Sequence, residues 1–286
     1  MISDITLGQF FPGFSVLHKL DPRTKIIAAT LLIVAIFLAN NPMAFLLLTV
    51  LTVIMIAISR ISFSVILKGI KPIVFILIFT SLINIFMTVG EGEPLIKFWI
   101  IKIYTEGFIR AFFMAYRVTL LIVSTSMLLT YTTSPIALTD GIESLLKPLK
   151  FIGVPVHVFA MMMTIALRFI PTLVEETEKI MNAQKSRGAD FTSGGLVKRA
   201  KALIPILIPL FVSSFKRADE LAIAMECRCY RGDVNRSKYK ELKLRGRDFL
   251  WSFIFAALFA AIILLRILPY NYELNHKIYE IIFYKI

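Results

Sequence analysis

Five long apolar runs, each near the length that crosses a lipid bilayer, restrict what this chain can fold into. They cover residues 26–39, 43–58, 73–89, 107–129 and 249–268. A bilayer core of about 30 Å requires roughly 20 helical residues, and backbone inside it must satisfy its own hydrogen bonds, so each run is predicted to be a helix. Because 57% of the 286 residues are hydrophobic, we predict an all-α integral membrane protein with about five transmembrane helices.

Short polar breaks set the limits of these predicted helices. Asp21 followed by Pro22 is typical of a helix start. The Asn-Asn-Pro sequence at 40–42 joins the first two runs as a tight hairpin. Residues 95–104, between the third and fourth runs, are predicted to form either a small hairpin or an interfacial segment.

The distribution of charge predicts how the chain is oriented. Three basic residues precede the first run, and three more, with no acid among them, separate the second run from the third. These six are Lys19, Arg23, Lys25, Arg60, Lys68 and Lys71. The link between the third and fourth runs has three acids and two bases. The positive-inside rule therefore places the N-terminus inside, in a multi-pass protein of the cell membrane.

The net charge of +13 has an explanation in the same rule. In a soluble protein such an excess would suggest nucleic acid as a partner. Here the charges lie between long apolar runs, so loops beside the anionic headgroups of the bilayer are the better interpretation. Nucleic acid is therefore not an expected partner.

The chain is predicted to have three domains. Residues 1–131 form an N-terminal membrane domain with four spans, and residues 249–286 form a last span with a short outer tail. Residues 132–248 contain nineteen basic and twelve acidic side chains and are predicted to form a coupling domain of long amphipathic helices, cytoplasmic or interfacial. Within it, residues 156–187 have helical character over about 48 Å, too long simply to span, with a kink expected at Pro171.

The coupling domain contains one small pattern twice. In each copy an apolar run ends at a proline, an amphipathic helix follows, and that helix closes on an arginine between small residues. The two closing triplets are Ser186-Arg187-Gly188 and Cys227-Arg228-Cys229. When the arginines are aligned, Glu178 falls opposite Asp219. These two acids, together with Asp190 and Glu226, are predicted to support the arginines.

An arginine in this setting has two interpretations. It can simply stabilise the helix dipole, by roughly 0.3–1 kcal/mol, while Gly188 caps the helix in the left-handed conformation. Alternatively, the small neighbours leave the guanidinium accessible, so that it enters an acidic groove on a partner and forms bidentate bonds with carboxylates. Because the pattern occurs twice, we favour docking onto a partner that presents two equivalent grooves.

These residues resemble a family, the transmembrane T components of energy-coupling factor vitamin transporters, which includes membrane subunits of cobalt transport. Residues 8–25, GQFFPGFSVLHKLDPRTK, look like its N-terminal signature, and the two arginine triplets look like its Ala-Arg-Gly motifs. The resemblance implies that Arg187 and Arg228 end coupling helices that dock onto two ABC-type ATPase subunits. It also implies a separate membrane S component, which binds the vitamin and sets the specificity.

Several catalytic patterns are missing from the sequence. It has no G-x-x-x-x-G-K-[ST] phosphate loop, no H-E-x-x-H and no G-x-S-x-G. Cys227 and Cys229 have no third ligand nearby in sequence, which disfavours a metal site. We therefore predict no enzymatic activity, no metal and no cofactor for this chain, and any ATP-driven work is expected from another subunit.

The alternative function is a self-contained secondary permease. Such a protein needs its own binding site near the bilayer midplane, usually on repeated broken helices, whereas the repeat here is an amphipathic arginine pattern. The intramembrane Arg117 can mark a substrate path. The favoured interpretation is an internal structural pairing with a polar group such as Asn84.

Overall fold

A computed structural model describes residues 10–88, 96–98, 101–191, 195–232 and 242–267. Within these residues all regular secondary structure is helical apart from one small hairpin, so the predicted all-α integral membrane fold is confirmed. The α-helices are α1 Pro22–Leu38, α2 Pro42–Ser59, α3 Phe63–Ile70, α4 Val74–Met87, α5 Thr105–Thr125, α6 Pro135–Leu146, α7 Val156–Ser186, α8 Leu196–Cys227 and α9 Gly246–Ile267.

Shorter elements connect some of these helices. A 3₁₀ turn, Lys71–Ile73, joins α3 to α4, a π-helical turn, Ser126–Tyr131, continues α5, and a 3₁₀ segment, Lys147–Ile152, follows α6. Strands β1 (Ile96–Phe98) and β2 (Ile101–Ile103) pair antiparallel. The hairpin is thus the correct choice of the two alternatives for residues 95–104.

Five helical stretches in the described part of the chain are long and apolar enough to cross a membrane. They are Pro42–Ser59, Phe63–Met87, Thr105–Tyr131, Val156–Ser186 and Gly246–Ile267. Four of these stretches overlap the five apolar runs predicted from sequence, and one member of each set is absent from the other. The helix in the first run, α1, has 17 residues, because Asp21 caps its start and the Asn-Asn-Pro break follows its end. Conversely, α7 is a candidate span because its first half is apolar, although its length exceeds what a simple crossing requires.

Backbone contacts divide the chain into two compact units. The first contains residues 10–134 and, from 242, the C-terminal part of the chain; the second contains residues 135–241. In the first unit α1 packs against α5 and α9, and α2 and α4 pack against α5. The buried side chains of α1 include Ala28, Leu32 and Ile36, so this short helix forms the centre of the unit's hydrophobic core.

A buried ammonium group fixes the start of α1. Lys25 is 1% exposed, and its Nζ donates to the carbonyl oxygen of Thr132 at 2.8 Å and to the hydroxyls of Thr132 and Thr133 at 3.3 and 3.0 Å. Both hydroxyls donate their own protons to the Leu128 carbonyl, which leaves their lone pairs for Lys25. The three N–H donors of the lysine are therefore satisfied.

Asp248 connects the same region to the start of α9. Its carboxylate is buried and accepts the backbone N–H of Asp21 at 2.8 Å and that of Arg245 at 2.7 Å. The Asp21 carboxylate in turn accepts the Arg23 N–H at 2.9 Å as the cap of α1. Residues more than 200 positions apart in sequence thus hold the first and last described helices of this unit together.

Arg117 fixes the turn between α1 and α2. Its Nη2 donates to the Ala39 carbonyl at 2.6 Å and to Asn40 Oδ1 at 3.4 Å, and its guanidinium lies 5.5 Å from the centre of the Phe45 ring. Asn84, the partner suggested from sequence, instead donates to the Thr80 carbonyl within its own helix. The pairing of Arg117 is therefore structural, as favoured, but with a backbone carbonyl in place of Asn84.

We expect Asp248→Ala to lower the free energy of unfolding by about 3 kcal/mol, because the buried N–H of Asp21 and the part-buried N–H of Arg245 lose a charged acceptor. Thermal unfolding in detergent measures the change. The control is Asp219→Ala, which removes an exposed carboxylate and should change stability by less than about 0.5 kcal/mol. Equal effects of the two substitutions would contradict the role given to Asp248.

Candidate functional site: two arginine-ended helices

The two longest helices carry the candidate site. Helix α7 has 31 residues and α8 has 32. Each passes through its prolines without interruption: Pro171 lies inside α7, and Pro205 and Pro209 lie inside α8. The apolar run and the amphipathic part of each copy are thus one continuous helix, and the predicted end of the apolar run at a proline is not the end of an element. A proline removes one N–H from the backbone ladder.

Helix α7 ends in a Schellman motif around Arg187. Gly188 has a φ of +86°, the left-handed conformation that glycine adopts at little cost. Its N–H donates to the Lys185 carbonyl at 2.9 Å, and the N–H of Ala189 donates to the Gln184 carbonyl at 3.0 Å. These are the two hydrogen bonds that define the motif, and Arg187 is the residue at the C-cap.

Helix α8 ends in the same way around Arg228. Cys229 has a φ of +56° and donates its N–H to the Glu226 carbonyl at 2.8 Å, while Tyr230 donates to the Met225 carbonyl at 3.0 Å. Cys229 thus occupies the position that Gly188 has in the first copy. The similarity of the two triplets in sequence is therefore a similarity in backbone geometry, and the two arginines are at equivalent C-cap positions.

Both arginines are available to a partner. Arg187 and Arg228 are exposed, as are the small residues on either side of them. Among the described residues, neither guanidinium has a hydrogen bond or ion pair to another side chain. Each group therefore presents its five N–H donors to whatever binds at the helix end.

The four acids predicted to support the arginines do not pair with them. Glu178 is half-buried, whereas Asp190, Asp219 and Glu226 are exposed. No ion pair joins any of the four to Arg187 or Arg228 in the described part of the chain. A supporting role for these acids therefore stays a prediction.

A different acid, missed in the sequence analysis, connects the two helices. The Glu176 carboxylate on α7 accepts a hydrogen bond from Ser213 Oγ and forms an ion pair with Arg217 Nη2 at 2.7 Å. Both of these partners lie on α8. Glu176 lies eleven residues before Arg187, and Arg217 lies eleven residues before Arg228. The ion pair thus joins equivalent positions of the two copies. The alignment on the arginines already placed these opposite charges together and would have been the signal.

Comparison with known proteins gives the family. The family model described as CbiQ, cobalt transport protein, matches residues 13–239, which include both arginine-ended helices. The chain belongs to the CbiQ family.

Curated relatives in this family are similar over nearly their whole length. A protein of Clostridium kluyveri named energy-coupling factor transporter transmembrane protein EcfT is 56% identical over 93% of this chain and 98% of its own length. The proteins of the same name from Acidaminococcus fermentans and Bacillus subtilis are 52% and 49% identical over 93% and 87% of this chain, and over 98% and 93% of their own lengths. The resemblance inferred from the N-terminal signature and the arginine triplets is thereby confirmed.

We expect Cys229→Gly and Gly188→Ala to change stability in opposite directions. A side chain in the left-handed conformation costs about 1 kcal/mol, so the first substitution should raise the free energy of unfolding by that amount and the second should lower it. Nothing lies within 4 Å of a β-carbon built on Gly188, so any loss comes from the backbone alone. Thermal unfolding of the purified variants measures both changes.

The control for this pair is Gly246→Ala. Gly246 begins α9 with open space around it, so this variant should keep its full free energy of unfolding. A Gly188→Ala variant as stable as the Gly246→Ala variant would mean that the left-handed cap does not matter.

We expect a double-mutant cycle on Glu176→Ala and Arg217→Ala to give a coupling energy of about 1 kcal/mol. The side chains are 22% and 37% exposed, so solvent screens part of the attraction. Chemical unfolding of the four proteins measures it. A second cycle pairs Glu176→Ala with Arg199→Ala, at an exposed arginine of α8, and should give no coupling energy. Equal coupling in both cycles would exclude a specific pair.

Proposed function

We propose that this chain is the non-catalytic transmembrane coupling subunit of an ATP-driven importer of the energy-coupling factor type. The observation that carries this proposal is the pair of equivalent, exposed arginines at the ends of α7 and α8. The names of the relatives supply the class of transporter, since they describe the transmembrane protein of an energy-coupling factor transporter. The location we propose is the cell membrane, with the N-terminus inside.

Two ABC-type ATPase subunits are the proposed partners of the arginines. A guanidinium presents a planar fork of donors that matches a carboxylate, and desolvation inside a groove makes such a pair stronger than on an open surface. Because the two C-caps have the same backbone geometry, each helix end can enter the same kind of groove. Two copies of one ATPase fold, or two related ATPases, would present two such grooves.

The contact between α7 and α8 gives the coupling a mechanical basis. Glu176 holds Ser213 and Arg217, so a displacement of one helix by its ATPase is carried to the other. Away from that contact, both helices expose large apolar side chains, among them Phe159 and Met163 on α7 and Phe211 and Phe215 on α8. We propose that the membrane S component, which binds the transported vitamin, packs on these apolar surfaces and moves with the helices.

The permease alternative has less support. The relatives are named as one component of a coupled transporter, and Arg117, the best intramembrane candidate for a substrate site, is occupied by the carbonyl of Ala39. A permease would transport its solute when this chain alone is placed in liposomes.

We expect Arg187→Glu and Arg228→Glu each to weaken ATPase binding by about 2–5 kcal/mol, because a groove carboxylate then faces another carboxylate. Co-purification from mild detergent, with the chain tagged and co-expressed with its ATPases, measures retention of the ATPases, and vitamin uptake measures transport. The double variant should retain neither ATPase. Arg199→Glu, a reversal at an exposed arginine of the same helix α8, is the matched control and should behave as wild type.

Full assembly and uptake in both single variants would remove the docking role of the arginines. Retention of the ATPases without uptake would instead mean that the arginines transmit the motion of the ATPases but are not needed to bind them. Uptake by the wild-type chain alone, with no ATPase present, would support the permease.

A further inference from the structure

A pocket in the first unit is not used by the proposed docking mechanism. It lies between the N-terminal segment around Phe11–His18 and the turn around Ala57–Val65, and its volume is about 900 Å³. That is at the upper end of the range for small-molecule pockets. It is formed by two segments of one compact unit, so its walls are held by the same core as α1 and α2.

The residues that line the pocket show where it lies relative to the candidate spans. One candidate span ends at Ser59 and the next begins at Phe63, so residues 60–62 form the turn between two candidate spans. Such a turn lies at the level where hydrocarbon gives way to headgroups. The pocket therefore opens at the depth at which a phospholipid carries its phosphate.

Arg60 is the one permanently charged side chain among the described residues that line the pocket. It is exposed and has no ion pair in the described part of the chain. Its φ of +56° belongs to the left-handed C-cap of α2, a common conformation at a helix end, so the helix end fixes the backbone from which this side chain projects. Beside it, Ser62 is the N-cap residue of α3 and makes no side-chain capping bond, so its hydroxyl is also available to an acceptor.

The opposite wall is apolar. Phe14 is 93% exposed, and Phe11 and Val16 are partly exposed. His18 braces this wall: its Nε2–H donates to the Phe11 carbonyl at 2.9 Å and its Nδ1 accepts from Ser15 Oγ at 2.7 Å. Burial lowers the pKa of the His18 imidazole, which agrees with a neutral ring that serves as a brace and leaves Arg60 as the cation.

We propose that this pocket binds one anionic phospholipid, with its phosphate on Arg60 and Ser62 and its acyl region against Phe11, Phe14 and Val16. One cation beside a mostly apolar wall fits an amphiphile with a single anionic group. The site would tie the N-terminal segment to the turn between α2 and α3 and would make the stability of the first unit depend on lipid charge. A free phosphate ester shares the headgroup chemistry but not the apolar contacts.

The test uses the full chain purified in detergent, with its thermal unfolding followed as phosphatidylglycerol, phosphatidylcholine or glycerol phosphate is added. We expect phosphatidylglycerol to raise the unfolding temperature by about 5 °C and the other two to have little effect. Arg60→Gln should remove at least half of that shift. Lys68→Gln, an exposed cation on α3 outside the pocket lining, is the matched control and should keep it.

Each other outcome overturns the proposal. Equal shifts with phosphatidylcholine would show general stabilisation by lipid, and equal shifts with glycerol phosphate would show a soluble phosphate site. An equal loss of the phosphatidylglycerol shift in Arg60→Gln and Lys68→Gln would show that surface charge alone causes the stabilisation. Should Arg60→Gln fail to fold, Phe14→Ala, which removes an exposed ring, should still reduce the phosphatidylglycerol shift, and an unchanged shift there would exclude the lipid.

Discussion

The buried Lys25 ammonium constrains how the rest of the first unit can assemble. A charged group away from water is tolerated only when every donor finds an acceptor. The acceptors here come from the end of the π-helical turn after α5, over a hundred residues along the chain. The start of α1, the end of α5 and, through Asp248, the start of α9 must therefore assemble together. The hydrophobic core around α1 is built on that junction, because α1 packs on both α5 and α9.

The second unit depends on a different kind of constraint, which is repetition. The same cap geometry ends α7 and α8, although one triplet has glycine and the other has cysteine at the left-handed position. The backbone hydrogen bonds of the motif are strong enough to hold Cys229 in a conformation that glycine would adopt more easily. The departure of this chain from the Ala-Arg-Gly pattern is thus accommodated without moving the arginine.

Features with a local cause in the sequence could be predicted, whereas features that depend on contacts between distant segments could not. The helices of the apolar runs and the hairpin at β1–β2 were predictable, since hydropathy and polar breaks are local signals. The partner of Arg117 was not, because a backbone carbonyl at Ala39 has no signature in sequence. The Lys25 cluster was missed for the same reason, since it joins distant segments. The contact of Glu176 with Arg217 lay within reach, because the alignment of the two copies already placed them together.

That contact also sets equal distances within the second unit. Glu176 and Arg217 each lie eleven residues before a terminal arginine, and at 1.5 Å per residue each arm is about 16 Å long. The two terminal arginines are therefore equally far, along their own helices, from one shared contact. We expect a displacement at either arginine to act on that contact over the same lever arm, so that neither helix end is mechanically favoured.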